Sequence, residues 1–421
     1  MSAFSYQNGS LHAENVSLAA LAKEHGTPLY VYSRSAFEQA YLAYTDALGE
    51  WPHLVCFAVK TNSNLGVLNA LARLGAGFDI VSIGELERVI AAGGDPSKVV
   101  FSGVGKQAHE IQRALECNIL CLNIESISEM HLINEVAQKL GKKASISIRV
   151  NPNIDAKTHP YIATGLHNSK FGIPFEEAEA AYLTAQSLAH LSVTGIDCHI
   201  GSQITELQPF IEATKQLKTL IESLKKHDIT FEHIDLGGGL GIPYKAEDKP
   251  LPSPGDYAQA LCQTLNMPDT QLIIEPGRAI VGNAGALITE VIAIKSSSSK
   301  QFAIVDAAMN DLIRPALYQG WHDIVQVRQS QLENIQTYDI VGPVCESADF
   351  LGHDRLLDIQ AGALLAVCNT GAYVSCMASN YNTRPRAPEV LIHKDRHSLI
   401  KARETLDDLL AGERQCLHPQ H

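Results

Sequence analysis

Eight short apolar runs in this sequence each lead into a polar residue or glycines of types that often take part in chemistry. In chain order these are Lys60, Asp79, Ser102, Glu125, Arg149, His199, Gly237–Gly239 and Glu275. A lysine that leaves an apolar strand either reaches to solvent or is a partly desolvated amine that can form a Schiff base. A glycine cluster lets backbone N–H groups approach an anion closely, although a tight turn would explain it equally well.

The segment EPGR, which contains Glu275 and Arg278, adds a carboxylate to this set. It could hold the ring nitrogen of pyridoxal phosphate in its protonated form, or it could be a structural Arg–Glu ion pair. His199 could stack on a cofactor ring, although a lone histidine after a strand is more often structural. One cofactor, pyridoxal phosphate, would explain why a lysine, a glycine loop and a glutamate each follow an apolar run.

The apolar runs have the length and β-branched content of buried strands, and amphipathic segments such as LGVLNALARLG separate them. They are LVCFAV, FDIVS, VVFS, ILCLNI, SISIRV, VTGIDC, FEHIDL and QLIIEP. Eight such alternations predict an α/β fold, a (β/α)8 TIM-type barrel whose active-site groups lie at the C-terminal ends of the strands. An open, doubly wound sheet is the alternative.

Beyond Ala284 the pattern changes to β-rich runs separated by polar or glycine-rich turns, which predicts a second, mostly antiparallel β domain. We expect the barrel to span residues 34–283 and the second domain to combine residues 1–33 with 284–421. The early segment TPLYVYS would join this domain, and LIKARETLDDLLAG would form a C-terminal helix.

Composition and charge limit the possible partners. The 421 residues are 45% hydrophobic and carry a formal net charge of −13, which disfavours nucleic acid and anionic membranes and favours small molecules. Nine cysteines without a CxxC pair predict no structural zinc, and we expect no metal. The N-terminus lacks signal-peptide character and no apolar run is long enough to span a membrane, so a reducing cytoplasm is expected.

Residues 28–395 resemble the alanine-racemase-type (fold III) family of pyridoxal-phosphate decarboxylases. The motifs that carry the resemblance are FAVKTNSN, GFDIVSIGELE, THPYIATGLHNSKFGI, HIGSQI, IDLGGGLGIPY, IEPGRAIVG, GPVCESADFL and NYNTRPRAPEVL. The resemblance implies that Lys60 carries the cofactor as a Schiff base and that Cys345 protonates the carbon that has lost its carboxylate. It further implies a cofactor-binding set of Asp79, His199, Ser202, Gly239, Glu275, Pro276, Gly277, Arg278 and Tyr373.

The resemblance also implies an obligate homodimer, in which the Cys345 loop reaches the cofactor of the neighbouring subunit. Its racemases pair the ring nitrogen with an arginine, so Glu275 favours decarboxylation.

The expected substrate is meso-2,6-diaminopimelate, which would give L-lysine and CO2. Its distal end bears an ammonium and a carboxylate, and the candidate binding residues are Arg278, Arg314, Tyr318, Glu346 and Tyr373. A guanidinium can grip a carboxylate through two parallel hydrogen bonds. Ornithine, lysine or carboxynorspermidine is the alternative substrate.

Two other classes of function stay open from the residues alone. A cofactor-free Schiff-base aldolase would not need Glu275 or His199. A regulatory homologue without catalysis could lack Lys60 or Cys345, and both are present.

Overall fold

The computed structural model describes residues 3–155, 164–165, 169–245, 247–330 and 334–417. Residues 158–163 and 166–168 of the motif THPYIATGLHNSKFGI therefore lie outside the described residues. The chain forms two compact units. One comprises Glu38–Pro243 and Lys249–Ile280, and the other Met1–Phe37, Tyr244–Asp248 and Val281–His421. The domain division at 33/34 and 283/284 stays a prediction.

The first unit is a (β/α)8 barrel, as the sequence predicted. In the part of the chain that the structure describes, eight parallel strands close on themselves because the fourth strand pairs with the fifth and the eighth with the first. Ile173–Pro174 adds a two-residue pairing to the fifth strand. The barrel strands are His53–Ala58, Gly77–Ile80, Val99–Phe101, Cys121–Ile124, Ala144–Asn151, Leu191–Asp197, His233–Asp235 and Gln271–Ile274.

Helices lie between the barrel strands, and side-chain caps fix where several of them begin. Asn64 accepts a hydrogen bond from the N–H of Gly66, and Ser82 and Ser126 each accept one from the third residue of the helix that follows. The helices between strands are Leu65–Arg73, Ile83–Ala91, Ala108–Glu116, Ile127–Lys139, Phe175–Ser187, Gln208–Leu224 and Pro254–Leu265. Arg34–Leu48 precedes the first barrel strand, and the short Arg278–Val281 follows the eighth. Because strands and helices alternate, the C-terminal ends of all eight strands form one ring of loops.

The second unit contains a mostly antiparallel sheet, which confirms the predicted class. Its strands are Leu29–Ser33, Gly285–Ser296, Gln301–Val305, Ile324–Gln326, Gln336–Val341, Phe350–Leu357, Leu364–Cys368, Glu389–His393 and Arg396–Lys401. The segment TPLYVYS joins it as predicted, because Leu29–Ser33 pairs with Gly285–Ser296 and with Glu389–His393. An N-terminal sheet of Phe4–Gln7, Ser10–Ala13 and Val16–Ser17 was not predicted.

The helices of the second unit are Leu18–His25, Arg314–Tyr318 and Leu406–Arg414 within the described residues. The predicted C-terminal helix is therefore shorter than LIKARETLDDLLAG, since Leu399–Lys401 continue a strand. The capping box of Thr405 and Asp408 begins the helix only at Leu406. Among the described residues, no helix is long and apolar enough to cross a membrane.

Candidate active site

Lys60 lies in a single 3-10 turn, Val59–Thr61, directly after the first barrel strand. Its Nζ is 2.5 Å from Oδ2 of Asp79, a fully buried residue of the second strand. A neighbouring carboxylate stabilises the ammonium form. Lys60 is therefore an ion-pair partner of Asp79, a contact that the sequence did not predict. The pair still brings together two predicted cofactor-binding residues from adjacent strands.

The glycine loop after the seventh strand has no room for side chains. A Cβ on Gly238 would lie 2.1 Å from the carbonyl oxygen of Glu275, and one on Gly239 would lie 2.4 Å from that of Gly201. Gly239 also has a φ of +116°, which side-chain-bearing residues rarely adopt. These contacts require glycine at both positions.

His199 follows the sixth strand and is tied to the glycine loop. Its Nδ1 lies 3.1 Å from the backbone nitrogen of Gly238, whose N–H can only donate. Nδ1 is therefore unprotonated, and the ring proton lies on Nε2. Burial, with the charges of Arg149 and Lys60, lowers the pKa of His199 well below its usual value. The imidazole is thus neutral, with one N–H and a flat apolar face.

Glu275 directly follows the eighth strand and lies beside two further buried carboxylates, Asp197 and Asp235. One oxygen of each lies within 4.8 Å of the others. Burial, followed by the charges of Asp235 and Asp79, raises the pKa of Glu275 well above its usual value. Its Oε1 is buried and accepts no hydrogen bond from the described residues. A cationic N–H donor at this oxygen would therefore stabilise the ionised carboxylate.

Two arginines complete the polar end of the barrel. Arg149 donates to Glu125 over 2.9 Å and to the carbonyl oxygen of His199 over 3.4 Å. Arg278 follows Pro276 and Gly277 and donates from Nη2 to Oγ of Ser202 over 3.1 Å. This contact joins two predicted phosphate-binding residues, so the structure gathers the predicted barrel residues at one set of strand ends.

Arg314 begins the short helix Arg314–Tyr318 in the second unit, and it is buried. Its guanidinium carbon lies 4.3 Å from the centre of the Tyr244 ring, and its Nη1 lies 2.6 Å from Nε2 of His322. Tyr318 is half-buried at the other end of the helix. The side chain of Arg314 is therefore buried, and its guanidinium contacts both His322 and the ring of Tyr244.

The Cys345 loop of the second unit is held by a buried aspartate. Asp349 accepts hydrogen bonds from the N–H groups of Met309 and Val344. Cys345 and Glu346 are both exposed, and the N–H of Cys345 donates to Oδ1 of Asn382 over 2.8 Å. The loop thus presents a thiol and a carboxylate side by side at the surface of this unit.

Tyr373 stands out by its backbone. Its φ of +58° is unusual for a bulky residue and costs conformational energy. Thr370, Gly371 and Ala372, which precede it, are buried. A strained residue that surrounding structure holds in place is typical of functional sites.

Comparison with known proteins defines the family. The sequence profile of the pyridoxal-dependent decarboxylase family, pyridoxal binding domain, matches residues 34–282. Diaminopimelate decarboxylase of Vibrio cholerae is 58% identical to this chain, over 98% of this chain and 99% of its own length. The chain belongs to the diaminopimelate decarboxylase family of pyridoxal-dependent decarboxylases.

Solved structures of diaminopimelate decarboxylases have the same fold. The Helicobacter pylori enzyme complexed with L-lysine is 45% identical with a TM-score of 0.91, covering 95% of this chain and 100% of that one. The M. jannaschii enzyme in complex with L-lysine is 39% identical with a TM-score of 0.93, covering 99% and 98%.

Members of this decarboxylase family use pyridoxal phosphate, and the barrel residues fit that cofactor. The buried Oε1 of Glu275 is suited to a ring N–H, and the neutral face of His199 is suited to an aromatic ring. The glycine loop and the Ser202–Arg278 pair offer donors for a phosphate.

The acidic residues Asp197 and Asp235 of this decarboxylase were not singled out from the sequence. Each is the last residue of its strand, in VTGIDC and FEHIDL. Both could have been found from the sequence, because each is a charged residue at the end of a β-rich run. Glu85 was also missed; burial raises its pKa to about 7, and its Oε2 accepts from the N–H of Val81.

We expect the carboxylate cluster of this decarboxylase to make the cofactor-free protein less stable as the pH rises. Burial raises the pKa of Asp235 from 3.8 to about 7. Between about pH 4 and pH 7 the folded chain therefore keeps a proton on Asp235 that the unfolded chain has lost, and the folded state loses stability as the pH rises. Asp235→Asn should reduce proton uptake on folding in this window by up to about one proton.

The measurement is the urea midpoint of unfolding from pH 4 to pH 7. The exposed Asp269→Asn is the matched control and should leave the pH dependence unchanged. If Asp235→Asn keeps the pH slope of the parent, the proton does not lie on Asp235.

Proposed function

We propose that the chain decarboxylates meso-2,6-diaminopimelate to L-lysine and CO2, with pyridoxal phosphate as cofactor. The observation that carries this function is similarity to diaminopimelate decarboxylases over almost the whole chain, at 58% identity for the Vibrio cholerae enzyme. The strand-end residues support it, because they supply an amine, a neutral imidazole and a buried carboxylate for the cofactor.

In the barrel unit, Lys60 would attach the cofactor and Asp79 would orient the amine while no cofactor is attached. When bound, pyridoxal phosphate supplies an electron sink for the electron pair that the departing carboxylate leaves behind. Glu275 would hold the ring nitrogen protonated, and His199 would cover the ring. Gly239, the Pro276–Gly277–Arg278 turn and Ser202 would bind the phosphate, together with Tyr373.

The second unit would supply the groups that read the substrate. Arg314 is buried, and its pairing with neutral His322 leaves its charge uncompensated by that neighbour, which suits a distal carboxylate. Glu346 would pair with the distal ammonium, and Tyr318, Tyr373 and Arg278 would complete the pocket. L-lysine, bound in the Helicobacter pylori and M. jannaschii relatives, retains the carboxylate that Arg314 would hold.

The thiol of Cys345 would donate a proton to the carbon from which the carboxylate leaves, so that one C–C bond breaks and one C–H bond forms. We propose that this thiol serves the cofactor of the partner subunit in a homodimer. The exposure of Cys345 and Glu346 on their loop supports such a role. We also propose that the protein works in the cytoplasm, which its nine free cysteines support.

The proposed reaction predicts a specific product. In D2O, meso-diaminopimelate should yield L-lysine that carries one deuterium on the carbon from which CO2 departed, because the donated proton comes from an exchangeable group. Mass spectrometry and proton NMR of the product provide the measurement. Unlabelled lysine, or a product other than lysine, would contradict the proposal.

A shared site predicts that two inactive variants rescue each other. In a mixed dimer of Lys60→Ala and Cys345→Ala subunits, one site lacks both groups and the other lacks neither. Random mixing makes half of the dimers mixed, so about one quarter of the parent's activity should return. Exchange of tagged subunits must be verified in the same samples. Activity that stays at the level of the separate variants, despite exchange, would show that each site is built from one chain.

A further inference from the structure

The partner of Arg314 in the second unit is a buried histidine that no motif of the sequence points to. His322 has no exposed surface, and its Nε2 lies 2.6 Å from Nη1 of Arg314. Its Nδ1 lies 2.8 Å from the carbonyl oxygen of Cys368. The imidazole is therefore fixed between a guanidinium and a backbone carbonyl.

These two contacts determine the protonation of the ring. A guanidinium has donors only, so Nε2 of His322 must accept and carries no proton. A carbonyl oxygen accepts only, so Nδ1 must donate to the oxygen of Cys368. His322 is thus the neutral imidazole with its proton on Nδ1. A neutral acceptor holds Arg314 without neutralising it, whereas a carboxylate at this position would compete with an anionic substrate.

The surroundings hold His322 in this orientation. Nη2 of Arg355 donates to the carbonyl oxygen of His322 over 2.9 Å, which fixes its backbone. The ring meets that of Tyr244 edge to face at 5.2 Å, and the same tyrosine lies under the guanidinium of Arg314. The contacts that hold Arg314 thus include a hydrogen bond to His322 and the ring face of Tyr244, two side chains outside its helix.

We propose that His322 is a positioning residue that orients the guanidinium of Arg314 for the substrate's distal carboxylate and so sets specificity for a diamino diacid. This inference rests on the proposed function, in which Arg314 binds that carboxylate. Bidentate recognition depends on the plane of the guanidinium. Loss of the Nε2 acceptor should therefore weaken ligands that bear the carboxylate and leave others unchanged.

Two ligands separate this role from a structural one. L-lysine retains the distal carboxylate of diaminopimelate, whereas 1,5-diaminopentane has the same chain and both amines but no carboxylate. In the cofactor-loaded enzyme, His322→Leu should raise the inhibition constant of L-lysine and the KM of diaminopimelate by roughly tenfold. The kcat and the inhibition constant of 1,5-diaminopentane should stay within about threefold of the parent.

His322→Gln is the conservative variant, since its amide oxygen can accept from Arg314 in place of Nε2. It should restore L-lysine binding to within about threefold of the parent. The exposed His353→Leu is the matched control and should change nothing. If His322→Leu leaves L-lysine binding unchanged, or if it weakens both ligands equally, the positioning role is overturned. If His322→Leu fails to fold, a His322→Gln variant that binds L-lysine tenfold or more weakly overturns it.

Arg314→Ala separates this inference from the function on which it rests. If Arg314→Ala weakens L-lysine and His322→Leu does not, the positioning role fails and the proposed function stands. If Arg314→Ala also leaves L-lysine binding unchanged, Arg314 does not read the carboxylate and both are contradicted.

Discussion

Lys60→Ala is expected to lower decarboxylation by at least about three orders of magnitude, because the amine that would attach the cofactor is lost. Borohydride reduction of the parent should fix the cofactor covalently on Lys60, and peptide mass spectrometry should find it there. The variant should bind the cofactor only reversibly and show no reduced adduct at this position.

The control for this result is Lys98→Ala. Lys98 precedes the third barrel strand, at the opposite strand end from the predicted site, and donates to the carbonyl oxygen of Gly75. It should keep the parent's activity. Because Lys60→Ala also removes the partner of buried Asp79, its thermal midpoint has to be measured alongside. A reduced adduct mapped to Lys170 or another lysine in the parent would contradict the role of Lys60.

Arg314→Ala is expected to lower kcat/KM on diaminopimelate by about 10²- to 10³-fold, the usual cost of removing one partner of a buried charge pair. Trace activity on lysine should change far less, because lysine as a substrate has no distal carboxylate. Steady-state kinetics on both substrates provide the measurement.

Glu346→Ala is the informative comparison for Arg314→Ala. All of the candidate substrates carry a distal ammonium, so loss of Glu346 should weaken diaminopimelate and lysine alike. The exposed Arg414→Ala, in the C-terminal helix, should have no effect. If Arg314→Ala leaves diaminopimelate turnover near that of the parent, a diamine-type substrate becomes the better explanation.

The barrel could be predicted because its strands are covered on both faces and are therefore apolar throughout. Phe57, Phe78 and Phe101, each fully buried, belong to runs that the sequence marks clearly. The N-terminal sheet and the true start of the C-terminal helix could not be predicted in this way. The strand Ser10–Ala13 is short, and Leu399–Lys401 have a helix-like composition but pair with Glu389–Val390.

The positions of Lys60, Glu275 and the glycine loop after their strands were predictable, because each directly follows an apolar run. Residues that act through others were not predictable. Burial raises the pKa of Asp235, which lies beside the carboxylates Asp197 and Glu275 at the ends of other strands. His322 contacts the guanidinium of Arg314, eight residues earlier, and a carbonyl oxygen of the later strand Leu364–Cys368. The ion pair of Lys60 with Asp79 was likewise not predictable, because ion pairing between strands depends on register.

This enzyme is expected to prefer a diamino diacid over a diamino monoacid. The most direct test of this preference is the ratio of kcat/KM for CO2 release from meso-diaminopimelate and from L-ornithine or L-lysine, with the purified, cofactor-loaded protein. A site built around a buried guanidinium should prefer diaminopimelate by about 10⁴-fold or more. Comparable CO2 release from ornithine or lysine would contradict the proposed specificity for diaminopimelate.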